Sequence, residues 1–165
     1  MTLPTGPYVA VCGPGVATEQ ENGWAEQVGR LVARAGGVVV CGGVSGVMDA
    51  VARGAAAEGG ISIGILPGRD RAEASPAVTY SIPTGMGETR NALVVRAADV
   101  VIAVAGEFGT LSEIALALKM GVPVVGLHTW ALAKGGRPIE AFPTAESPEE
   151  AVRRALQLAA GGRPG

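Results

Sequence analysis

Five runs of strand length are largely apolar and do not alternate polar with apolar positions: 8–12, 37–41, 61–66, 99–105 and 122–127. A strand with two apolar faces must be covered on both, which points to a parallel sheet flanked by helices on each side. Segments of helical period, 21–35, 45–58, 88–98 and 110–120, lie between the runs, so the order reads βαβαβ followed by αβαβ. Ser147-Pro148-Glu149-Glu150 places an N-cap serine, a proline at the first helical position and a glutamate at N3, so a last helix runs from there to Ala160. Gly121 after Lys119-Met120 supplies a left-handed C-cap. The expected fold is α/β: a single Rossmann-like, doubly wound domain over 1–165 with a mainly parallel sheet and a frayed tail at 161–165. Segments 67–87 and 128–138 have no clear period and read as loops, with a short strand around 78–82.

Composition narrows the function classes. Aromatic residues are 4% of the 165, so the core must come from Val, Ile, Leu and Ala, and the 26 glycines serve the backbone. Thirteen basic against fifteen acidic residues leave no electrostatic footprint for nucleic acid or an anionic membrane, and a small-molecule partner is expected instead. No apolar stretch approaches the roughly 20 residues of a membrane span, and MTLPTGPYVA has neither the basic nor the apolar region of a signal peptide. The expected location is the cytoplasm. Cys12 and Cys41 form no CxxC pair and His128 is the sole histidine, so no protein-held metal is expected. In a Rossmann-like strand order the two cysteines end neighbouring strands, and they read as buried, inert thiols.

Ligands of a doubly wound sheet bind beyond the carboxyl ends of its strands. Three of those ends are glycine-rich here: Cys12-Gly13-Pro14-Gly15, Gly42-Gly43-Val44-Ser45-Gly46 and Gly106-Glu107-Phe108-Gly109-Thr110. Together they suggest a shared phosphate-bearing ligand. The first turn has Thr18 where a dinucleotide fingerprint needs its third glycine, and the second strand ends in Cys41-Gly42 with no ribose-binding carboxylate, which argues against ordinary NAD binding. GxxxxGK[ST] does not occur, and the one GxSxG, Gly60-Ile61-Ser62-Ile63-Gly64, sets its serine inside the apolar run 61–66 and not at a strand-to-helix turn, so P-loop and α/β-hydrolase readings fall away. In the second turn Ser45 is open to two readings, a plain helix N-cap or part of an anion site.

The stretch MGETRNALVVRAADVVIAVAGEFGTLSEIALAL, from Met86 to Leu118, resembles the R…D…GxGTxxE signature of the LOG-like proteins, long described as lysine decarboxylases. The preceding IPTG, the Arg90-Asn91 pair, GGVSGVMDAVARGA and Gly64-Ile65-Leu66-Pro67-Gly68 are most similar to the branch containing molybdenum-cofactor carrier proteins. The resemblance implies binding of molybdenum cofactor or a nucleotide, as a carrier or store. Its alternatives are hydrolysis of the N-glycosidic bond of nucleoside 5′-monophosphates, with Arg90 and Glu113 as the catalytic pair, and a ligand-sensing oligomer. Lysine decarboxylation is not implied. The ligand-binding residues it implies are Gly13, Gly15, Gly42, Gly43, Ser45, Gly46, Met86, Arg90, Asn91, Gly106, Glu107, Phe108, Gly109, Thr110 and Glu113. A homodimer or higher homo-oligomer is expected too, paired through the apolar face of 114–118.

Four of these residues, Thr110, Glu113, Arg90 and Glu107, also carry a local reading. Thr110-Leu111-Ser112-Glu113 is itself a capping box, in which Glu113 would only satisfy a backbone N–H. Arg90 opposes the dipole in the first turn of a helix, so something negative is expected beside it: Glu88, Glu113 or a ligand. Glu107 stands where the family carries a glycine and sets a carboxylate where an anion should approach. His128 and the Arg69-Asp70-Arg71 stretch read as loop residues.

Overall fold

The computed structural model describes residues 5–162. Its strands are β1 (Tyr8–Cys12), β2 (Val38–Cys41), β3 (Ile61–Leu66), β4 (Tyr80–Pro83), β5 (Val100–Val104), β6 (Val124–Leu127), β7 (Leu132–Lys134), β8 (Arg137–Ile139) and β9 (Thr144–Ala145). The helices are α1 (Glu19–Arg34), α2 (Val47–Ala57), α3 (Asn91–Arg96), α4 (Phe108–Met120) and α5 (Pro148–Ala160). The main sheet has seven parallel strands in the order β4-β3-β2-β1-β5-β6-β9. Winding proceeds outward from β1 through β2, β3 and β4 on one side, and through β5, β6 and β9 on the other. The order therefore reverses between β1 and β5, where a doubly wound sheet opens its crevice.

Both faces of the central strands β2 and β5 are covered, which is why these strands are apolar at every position, whereas the edge strand β4 exposes Tyr80 and Ile82. Val9, Val11, Val39, Cys41, Ile102 and Val104 pack on one side with α1, α2 and α5, while Ala10, Cys12, Val40, Val101 and Ala103 pack on the other with α3 and α4. Small residues let α1 and α2 close up. A Cβ on Gly54 would stand 1.9 Å from the Glu26 carbonyl oxygen, and one on Gly29 would stand 2.1 Å from that of Val51. Helix ends follow local chemistry where caps exist. Thr18 and Glu21 form a reciprocal capping box for α1, Ser147 caps α5 with Pro148 in the first turn, and Gly121 ends α4 at φ 70°.

The structure departs from expectation in the two segments read as loops. Residues 128–138 hold most of an antiparallel hairpin, β7 with β8, closed by Gly135 and Gly136 at φ 58° and 76°. Two glycines at positive φ suit the tight twist of a two-residue hairpin, and the Gly-Gly pair is its signal in the sequence. Segment 67–87 contains β4, close to the short strand expected there, and a 3-10 turn at Arg71–Glu73 capped by Asp70. The helix expected over 88–98 divides into a 3-10 turn, Gly87–Arg90, and α3. The expected tail at 161–165 lies beyond α5, and 163–165 fall outside the described residues.

Candidate functional site

The turns after β1, β2 and β5 enclose a cavity of about 330 Å³ at the point where the strand order reverses. Its walls include Gly13 and Gly15 from the first turn, Gly42 and Ser45 from the second, and Glu107, Gly109, Thr110 and Glu113 from the β5–α4 turn and α4. Arg90 and Asn91 close the side formed by the 3-10 turn and α3. The fold thus gathers these expected residues from distant parts of the chain. Gly43, Gly46, Met86, Gly106 and Phe108 are not among the walls. Gly43 and Gly46, at φ 75° and 59°, shape the second turn instead: a Cβ on Gly43 would press the Gly64 backbone, and one on Gly46 the Pro14 carbonyl.

Ser45 is not the N-cap of α2. Gly46 holds that position, and the Ser45 hydroxyl donates to the Gly15 carbonyl at 2.9 Å, tying the second turn to the first. The α2 end also satisfies itself in part, because Val47 N–H donates to Pro14 and Met48 N–H to Ser45. The α4 end differs. Its N-cap is Glu107, whose side chain makes no capping bond, so the first-turn amides lack a side-chain acceptor. Thr110 consequently lies inside the helix, and the capping box expected for Thr110 and Glu113 does not form. The Thr110 hydroxyl oxygen is buried without a hydrogen-bond partner.

Arg90 is 9% exposed. Its Nε donates to the Ile65 carbonyl at 2.8 Å, one terminal nitrogen contacts the Asn91 side-chain oxygen, and the other lies 4.0 Å from the Met48 sulfur. Among the described residues it makes no ion pair, so neither Glu88 nor Glu113 closes on it. Gly42 makes room for this seat, since a Cβ there would stand 2.7 Å from the guanidinium and 2.4 Å from the Met48 sulfur. Met48, inside the GGVSGVMDAVARGA stretch but not among the expected ligand-binding residues, is a further wall residue. Only the position of α2 relative to β2 reveals that it faces the cavity.

Glu113 is 8% exposed and lies beside Cys12 at the end of β1. Burial pushes its carboxyl up to about 7, partly offset by the Cys12 thiol and the positive charge of Arg90. Burial likewise raises both thiols, Cys41 to about 12 and Cys12 well above its ordinary value, where the Glu113 carboxyl adds to the effect. Both cysteines are free and buried, as the inert reading requires. The cavity therefore combines a buried cation that makes no ion pair among the described residues, an uncapped helix N-terminus, an orphan hydroxyl and a carboxyl raised to about 7. This set suits a bound anion and a proton transfer beside it.

The other candidates lie elsewhere. His128 is exposed, stacks on Trp24 at 4.4 Å and contacts the Glu146 carbonyl oxygen through Nε2. Asp70 and Arg71 are exposed and Arg69 is exposed beside them in the same loop. Ile114 and Ala117, expected on a pairing face, are buried in the core against the sheet, which accounts for much of the apolar character of α4 without a partner. Among the described residues no three His, Cys, Asp or Glu side chains could jointly hold a metal ion, and no helix is long and apolar enough to cross a membrane.

Fold and cavity together define a Rossmann-like α/β protein with its crevice at the strand-order reversal. The chain belongs to the SLOG cluster4 family, whose model matches residues 6–156. A protein of Archaeoglobus fulgidus described as uncharacterized is 40% identical over 144 residues, covering 87% of this chain and 91% of its own length. The molybdenum cofactor binding protein from Rippkaea orientalis superimposes with a TM-score of 0.81 at 36% identity, over 90% of this chain and 94% of that one. The molybdenum cofactor carrier protein from Chlamydomonas reinhardtii gives 0.83 at 34% identity, over 94% and 99%. DNA processing protein A from Helicobacter pylori, at 21% identity and a TM-score of 0.70, shares the fold.

Proposed function

We propose that the cavity binds a phosphate-bearing heterocycle and that the protein carries or stores it, with molybdenum cofactor the leading ligand and a nucleotide the next. The observation that carries this reading is Arg90: a buried guanidinium with unused donors, no carboxylate in ion-pair reach and an uncapped helix end sharing its cavity. A buried charge without a partner is costly, and a phosphate would supply the partner. The orphan Thr110 hydroxyl gives a further donor on the same wall. The likeness to two proteins named for molybdenum cofactor supports the choice of ligand. Native mass spectrometry of freshly purified protein, with a thermal-shift panel of nucleotides and pterins, tests it. A ligand at a hundred times its dissociation constant stabilises by about 2.7 kcal/mol. Absence of any retained ligand together with no shift from any phosphate-bearing compound refutes the reading.

Glu113 favours a second reading, an N-glycosidic hydrolase acting on nucleoside 5′-monophosphates. A buried carboxyl near 7 is suited to general acid–base work at neutral pH. It would act on the ribose side as the C1′–N bond breaks, water would add to C1′, and the base would leave with a proton. Arg90 would hold the phosphate or the departing base. Release of free base by the wild type and its loss in Glu113→Gln support this reading, and no release excludes it.

A further inference from the structure

The cavity proposed above to seat an anion is walled by Val11, Pro14, Val44, Met48 and Pro67 beside its polar groups, but none of its walls is an aromatic ring. One stands immediately outside. Phe108, the first residue of α4, is 77% exposed, with its ring 5.7 Å from that of Trp130 and tilted 34°. One side of Phe108 is thus held by Trp130 while the rest is open to solvent. The Trp130 indole N–H donates to the Glu107 carbonyl at 3.3 Å, which pins the aromatic pair to the same turn that carries the uncapped amides. Trp130 also walls a cleft of about 280 Å³ with Ala105, Gly106 and Thr129, beside the same β5–α4 turn. The Glu107 side chain, on the wall of the main cavity, is exposed and makes no hydrogen bond among the described residues.

We infer that the Phe108–Trp130 pair is the stacking wall for the ligand's heterocycle and that Glu107 reads its edge, selecting a 2-amino-4-oxo ring of the guanine or pterin kind. This assignment rests on the phosphate reading of the cavity and extends it outward. An exposed aromatic fixed on one side offers a flat surface to a planar ring. A free carboxylate only accepts hydrogen bonds, so it pairs with an edge that presents two adjacent donors, and a ring N–H beside a 2-amino group is such an edge. The carboxylate that departs from the family's glycine pattern thereby has a specific use.

Dissociation constants of wild type, Phe108→Ala and Glu107→Gln for four probes test this: guanosine 5′-monophosphate, inosine 5′-monophosphate, ribose 5-phosphate and 6-hydroxymethylpterin. Both side chains are exposed, so both variants should fold. Wild type should bind the guanine nucleotide at least tenfold more tightly than ribose 5-phosphate. Phe108→Ala should weaken the guanine nucleotide and the pterin about tenfold and leave ribose 5-phosphate within twofold. Glu107→Gln should bring the guanine-to-inosine preference close to one. A Phe108→Ala variant that weakens ribose 5-phosphate equally, or no probe at all, overturns the inference. So does an unchanged guanine-to-inosine ratio in Glu107→Gln. Pterin binding lost in Phe108→Ala, in a protein that never binds ribose 5-phosphate, would instead sink the phosphate cavity and leave the aromatic wall standing.

Discussion

Replacing Glu113 with Gln should abolish a pH dependence of stability that the wild type carries between about pH 5 and 8. The carboxyl is raised from its usual 4.5 to about 7, chiefly by burial. Between those values the folded state holds more protons than the unfolded state, so stability is fully present below 4.5 and is lost as pH rises through 7. At about 1.4 kcal/mol per pH unit, the loss is on the order of 3 kcal/mol. The glutamine side chain has nearly the same shape and cannot ionise, so the variant escapes this penalty. For a domain of this size about 1 kcal/mol corresponds to roughly 2–4 °C of Tm. The variant should therefore match the wild type near pH 5 and melt about 6–12 °C higher at pH 8. Asp49, Glu58 and Glu150 are held below the usual carboxylate range, and their contributions are lost only as pH falls through those lower values, outside this window. Differential scanning calorimetry at pH 5, 6, 7 and 8 provides the measurement. A Tm difference that is the same at pH 5 and pH 8 would refute the desolvation argument.

Arg90→Met keeps much of the buried volume and removes the charge, so affinity for ribose 5-phosphate should fall at least tenfold; equal affinity in both proteins removes Arg90 from the anion site. The same variant should raise the Glu113 titration further, because the Arg90 charge holds it down, and carboxyl NMR would detect the change. Glu107→Gly relieves repulsion between an exposed carboxylate and the incoming phosphate, which water screens. The gain in ribose 5-phosphate affinity should stay below about fivefold, and a tenfold gain would place that carboxylate against the phosphate itself. Gly54→Ala drives a methyl into the Glu26 carbonyl, so α1 and α2 must separate; a loss of about 1–3 kcal/mol in denaturant unfolding is expected, and an unchanged midpoint would show that the helices yield freely.

What the sequence alone determined follows from local chemistry and periodicity. Continuous apolar strands need cover on both faces, glycine-rich ends mark the edge where a ligand approaches, and caps such as Ser147-Pro148 and Gly121 declare helix ends within a few residues. These properties belong to short stretches of chain, so they survive without knowledge of what packs against them. The family resemblance also singles out Arg90 and Glu113, and both lie in the cavity.

Tertiary structure decided what those residues experience. Locally, Thr110 and Glu113 spell a capping box, yet α4 already begins at Phe108 and sets the Glu113 carboxyl beside Cys12, a neighbour supplied by the parallel pairing of β1 with β5. A carboxylate or a ligand is the expected partner of Arg90, yet β3 offers it the Ile65 carbonyl and α2 the Met48 sulfur, beside the side-chain oxygen of its chain neighbour Asn91. Phe108 and Trp130, distant in sequence, meet only because the segment after β6 returns beside the β5–α4 turn. Desolvation and long-range partners depend on which surfaces face one another, and that is set by the assembled sheet, not by any window of sequence.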